Sequence, residues 1–142
     1  MKNVLAALVV LATVSSANAT GFIKRVHDCT NNVSDDNTTI GVRHISMSAP
    51  GGPVSSWTEA EVSQTHRAGT YSSDSVKVTV VAAMDGGPVL YLNKAKNFAL
   101  RVLRQSGVLA NGQAANVLVE ARFRDVETGK LVKVEERWLV CK

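Results

Sequence analysis

The chain has 142 residues, with sixteen Lys and Arg against twelve Asp and Glu, a formal net charge of +4 and two cysteines. Its basic residues are spread along the chain, which excludes the dense basic run that tracks a phosphate backbone, and no nucleic-acid partner is expected. No apolar run approaches the roughly 20 residues of a membrane-spanning helix, so integral membrane insertion is not expected.

The N-terminus has the three-part layout of a secretory signal. Lys2 supplies the positive region, an apolar run covers residues 4–14, and Ala17, Asn18 and Ala19 precede Thr20 as a small-residue cleavage site. Residues 1–19 are therefore expected to be a removable signal peptide. Residues 20–142 are expected to form one domain, long enough to bury a core. A lipoprotein signal places Cys directly after the cleavage point, whereas Thr20 stands there and the first cysteine is Cys29. The expectation is an unanchored protein, periplasmic or secreted, whose positive balance suits an anionic envelope surface.

Cys29 and Cys141 lie near the two ends of that domain, and an oxidising compartment favours their pairing. A disulfide closing a loop of about a hundred residues stabilises by on the order of 4–5 kcal/mol in the loop-entropy account. The competing reading makes Cys29 a nucleophile activated by His27.

Along the chain, residues 22–28 are expected to form a first strand. Residues 30–37, rich in Asn, Asp, Ser and Thr, read as a loop, and residues 40–47 as a second strand. Pro50, Gly51, Gly52 and Pro53 make residues 48–55 a mobile connector. Ser56 with Glu59 three residues later has capping-box spacing, predicting a short helix that Gly69 ends.

Val76, Val78, Val80 and Ala82 alternate with Lys77, Thr79 and Val81 as in a strand, and a turn follows at Asp85, Gly86, Gly87 and Pro88. After an extended piece at residues 89–92, Asn93 is placed to cap a second helix. Ala95, Phe98, Ala99, Val102 and Leu103 recur there at helical spacing, with Gly107 as the stop. The chain closes with a hairpin of residues 117–124 and 131–141 turning at Gly129. Glu136 falls on the apolar face of the last strand, and a bulge at Glu135 and Glu136 is expected to lift it out. The whole predicts an α+β domain with two helices packed on one face of a mainly antiparallel sheet and the disulfide joining its ends.

The hairpin from Ala121 through Arg122, Phe123, Arg124, Asp125, Val126, Glu127, Thr128 and Gly129 to Lys130 resembles a pattern in poorly characterised bacterial envelope lipoproteins. In that pattern a strand reaches Asp, a Thr-Gly turn follows and a strand returns. The resemblance implies an envelope accessory role and carries over no catalytic residue, and the missing lipobox cysteine departs from it.

Few residues invite chemistry. His27, His44 and His66 with Asp28 are metal-ligand types but show no ligand spacing, and neither a metal nor a cofactor is expected. No Gly-x-Ser-x-Gly elbow marks a nucleophilic serine. The acidic pairs Asp35 and Asp36, Glu59 and Glu61, and Glu135 and Glu136 read as surface charge and caps. Lys94 and Lys96, at the start of the second predicted helix, are candidate anion-binding residues, because free N–H groups and a positive dipole end accompany them. The expected function is a non-catalytic binding or accessory protein of the bacterial envelope, whose partner is a protein or an anionic envelope component. The alternative is a small secreted hydrolase, or an enzyme inhibitor presenting the loop of residues 49–55.

Overall fold

Every regular element of the described residues is a strand. The computed structural model describes residues 20–82 and 87–142. The expected signal peptide and the turn residues Asp85 and Gly86 lie outside the described residues. Nine strands follow in order: β1 Thr20–Thr30, β2 Asp36–Ser48, β3 Val54–His66, β4 Gly69–Ser72, β5 Val76–Ala82, β6 Val89–Asn93, β7 Ala99–Val108, β8 Ala114–Arg124 and β9 Leu131–Cys141. All pairings are antiparallel. They run β1–β2–β3–β5–β6–β7–β8–β9 and return from β9 to β1, closing an eight-stranded barrel, while β4 pairs beside the end of β3.

The α+β expectation is corrected: the protein is all-β, and neither predicted helix forms. In β3 the inward residues are Thr58, Ala60, Val62 and Gln64, a period of two that the sequence hides because half of them are polar. Ser56 and Glu59 do not cap a helix. Glu59 instead accepts a hydrogen bond from Trp57 Nε1 at 2.8 Å and one from Ser75 Oγ at 3.2 Å. The second helix fails for a different reason: Phe98 and Val102 suit helical spacing, but with Leu100 they are also every second residue, and all three are buried. Asn93 does accept backbone N–H groups, from Asn97 at 3.1 Å and Phe98 at 3.0 Å, within a hairpin turn where Lys96 has φ +57°.

The barrel interior is a core of Ile40, Val42, Val62, Leu100, Val102, Val117, Val119, Phe123, Val134 and Leu139, all nearly or completely inaccessible. Each such side chain contributes about 1.5–3 kcal/mol by leaving water. Outward positions of β8 and β9 carry Glu120, Arg122, Arg124, Lys133 and Glu135, the reverse of the apolar-out alternation of a lipid-spanning barrel. Among the described residues no helix is long and apolar enough to cross a membrane.

The expected closing hairpin and its bulge are present. Ala121 pairs with Val134 but Val119 with Arg137, so β9 carries an extra residue at Glu135 and Glu136. The bulge reverses the facing of the last residues of the strand: Trp138 and Val140 are half exposed, while Leu139 and Cys141 are buried. At the hairpin turn Gly129 has φ +67°, a conformation that costs glycine little. The long connector is corrected to a tight turn over residues 49–53, closed by a 2.9 Å hydrogen bond from Gly52 N to Ala49 O.

Cys29 and Cys141 are joined as expected, with Cα atoms 3.9 Å apart. Such a bond belongs to an oxidising compartment, extracellular or periplasmic. It also removes the thiolate on which a nucleophilic Cys29 depended.

Candidate functional site

In β1, Arg25 pairs with Arg43 of β2 and His27 with Val42, so Val26 is an extra, bulged residue. Bulges re-aim side chains, and this one decides what the barrel presents at one end. It turns Lys24, rather than Arg25, to the inner face beside its register partner His44. His44 in turn pairs with Thr58 of β3, its Nδ1 3.3 Å from the Thr58 hydroxyl. Across the barrel, Val80 of β5 pairs with Tyr91 of β6, and Gln105 of β7 with Val117 of β8.

Together Lys24, Val26, His27, His44, Thr58, Val80, Tyr91 and Gln105, with Gly112 and Gln113 from the β7–β8 turn and Ala114 at the start of β8, line a cavity of about 460 Å³. Its volume falls within the range of about 300–1,000 Å³ usual for small-molecule sites, which barrel mouths commonly host. Beyond it β1–β3 continue, leaving Phe22, Ile23, Met47 and Val54 exposed at that end.

His27 forms part of the cavity floor. Its ring is buried and meets Tyr91 edge to face, centroids 6.2 Å apart at 83°. Its Nδ1 is buried without a hydrogen-bond partner among the described residues, an arrangement that costs about 1–3 kcal/mol unless something satisfies it. Burial pushes the His27 pKa below the ordinary histidine value and the Tyr91 pKa up to about 12. At neutral pH both groups are therefore uncharged hydrogen-bonding walls.

A ring nitrogen of His27 lies within 4.8 Å of both disulfide sulfurs. Those sulfurs are bonded to each other, so the trio has no thiolate to offer a metal. The other sequence candidates are dispersed. Asp28 faces outward with Arg25 at 3.1 Å, and His66 lies 3.2 Å from Asp36 at the opposite end of the barrel, where Arg137 also binds Asp36. Only His27 and His44 meet at one place.

Lys94 and Lys96 sit in the exposed β6–β7 turn. The helix N-terminus expected behind them is absent, and the nearby N–H groups of Lys96, Asn97 and Phe98 are all taken by Asn93. Sequence reading missed Lys24, Thr58, Tyr91, Gln105 and Gln113, since the registers of β1–β3, the β1 bulge and barrel closure together bring them to one place. A second depression of about 390 Å³ lies over Arg101, Glu120, Arg122 and Lys133, where Arg101 and Glu120 pair at 2.8 Å.

No protein-family model, curated protein or solved structure matches the chain.

Proposed function

We propose that the chain is an exported, non-catalytic binding protein of the bacterial envelope that holds a small ligand in the mouth of its barrel. The observation that carries the reading is the open cavity of about 460 Å³ over His27, where polar groups from five strands and a turn converge on partly apolar walls. Eight-stranded barrels are wide enough to hold one small ligand. Export is supported by the signal-like layout of residues 1–19 together with the disulfide. A hydrolase is less well supported: Thr58 stands beside His44, but no carboxylate among the lining residues orients that imidazole.

Thermal unfolding of residues 20–142 with fractions of a small-molecule envelope extract tests this reading. A ligand at a hundred times its Kd stabilises by about 2.7 kcal/mol. The shift is expected in the native protein and lost in Ala114→Trp, which fills the mouth. A shift that survives Ala114→Trp, or none with any fraction, would count against the mouth as a binding site.

A further inference from the structure

We infer that the barrel mouth selects an amphipathic organic anion, with its acidic headgroup between Lys24 and His44 and its apolar part against Val26, Val80 and Ala114. This rests on the mouth being a ligand site, and it adds the ligand's charge. Two adjacent cross-strand pairs carry the inference. Arg25 and Arg43 face outward, and each has carboxylates: Arg25 has Asp28 at 3.1 Å, and Arg43 has Glu61 at 3.5 Å and Glu59 at 3.9 Å. One step along, Lys24 and His44 face inward, and among the described residues neither has an acidic partner.

Basic groups directly opposite each other on one sheet face repel when both are charged. An anion placed between them turns that repulsion into two charge-assisted hydrogen bonds. The rest of the lining is consistent with such an occupant. It contains no Asp or Glu, so nothing there repels an acid, and Tyr91, Gln105, Gln113 and Thr58 supply uncharged donors. Its apolar members include Val80 on β5 and Ala114 at the start of β8, which give the ligand an apolar wall. A divalent cation is disfavoured by the same lining, because hard cations require oxygen-rich, usually carboxylate, ligands.

The test compares octanesulfonate with octanol, equal in tail and differing in charge, by titration calorimetry on residues 20–142. Octanesulfonate is expected to bind one to one, at least about tenfold more tightly than octanol, because its charge gains charge-assisted hydrogen bonds that the alcohol does not. Lys24→Gln and His44→Gln should each remove most of that advantage. Lys24→Glu should instead prefer octyltrimethylammonium, a gain that a misfolded variant would not show.

Equal affinity for octanol and octanesulfonate, both blocked by Ala114→Trp, would overturn the charge selectivity and leave the binding site standing. Octanesulfonate affinity untouched by Lys24→Gln and His44→Gln would overturn the placement of the headgroup. Binding of neither compound would overturn the inference, and the extract experiment would then decide separately whether the mouth binds anything.

Discussion

Cys29 and Cys141 stand directly opposite each other on β1 and β9, at the narrowest seam of the barrel. The register there covers Cys29 with Cys141 and Thr30 with Val140, whereas β2 and β3 pair continuously from Asp36 to Ser48. Beside the bond, Lys142 N donates to Asp28 O at 3.0 Å, so the cysteines form a non-hydrogen-bonded pair, in which facing side chains lie closest.

The double variant Cys29→Ser, Cys141→Ser should therefore lose about 2–5 kcal/mol, because the crosslink spans 112 positions and closes a ring with few other bonds at the join. Urea unfolding with and without reductant measures this. Hydrogen exchange should accelerate first at Lys142, and an unchanged denaturation midpoint would show that the seam closes without the bond.

The bulge in β9 predicts an inversion of the usual order of side-chain importance. Leu139→Ala removes a buried side chain and should cost about 2–5 kcal/mol. Trp138→Ala, one residue earlier and far larger, is half exposed and should cost less than Leu139→Ala. Denaturant midpoints for the two variants decide the matter, and a larger loss at Trp138 would place the tryptophan inside.

Asp125 anchors the β8–β9 turn. Its carboxylate accepts the Thr128 hydroxyl at 2.6 Å, Thr128 N at 2.8 Å and Ser72 N at 2.9 Å, tying β4 to the last hairpin. The Thr128 hydroxyl, followed by these backbone N–H groups, holds its pKa below the ordinary carboxylate value. A depressed folded pKa gives stability that is present above the unfolded value of about 3.9 and is lost as pH falls through the folded one. Asp125→Asn should lower the melting temperature at pH 7 and reduce the acid-induced drop below about pH 4. Parallel acid titrations of the two proteins would expose an error here.

His27 acts in a higher window. Burial holds its pKa below the ordinary value near 6.5, so the unfolded chain takes up this proton before the folded one does. Its contribution is fully present above about pH 6.5 and declines as pH falls through the folded value. His27→Phe should flatten the dependence of melting temperature on pH between about 7 and 5, where free histidines titrate. An unchanged slope would mean that His27 stays neutral, or is charged, in both states.

The legible parts of the fold are those where one face is wholly apolar. Val117, Val119, Ala121 and Phe123 announce β8, and Glu136 interrupting such a face announces the bulge. Strand β3 is illegible because its inward row includes Thr58 and Gln64, so alternation of polarity fails although alternation of direction holds. At the start of β7, Phe98 and Val102 fit a helical period and, with Leu100, a period of two, and pairing with β6 and β8 decides for the second. Of the mouth, only the histidines stand out in the sequence, and they do so separately. Their meeting depends on the register of β1 with β2 and on the bulge between Arg25 and His27, and Tyr91, Gln105 and Gln113 join them only when the barrel closes, none of which a local polarity pattern encodes. The Asp, Thr-Gly pattern of the last turn, in contrast, has a local cause in the hydrogen bonds of Asp125 and Thr128.

The extra residue at Val26 makes the first half of β1 sensitive to register in a way that it need not be to spelling. Many side chains would serve at Val26, and even its deletion would keep Lys24 opposite His44 and Arg25 opposite Arg43, since the pairs on either side of the bulge are already consecutive on β2. A strand that paired straight through Val26 would instead move every earlier residue by one, bringing Arg25 in beside His44 and sending Lys24 out while His27 to Cys29 stayed in register. A slip in this strand, more than a substitution at the bulge, is where a change of ligand would begin.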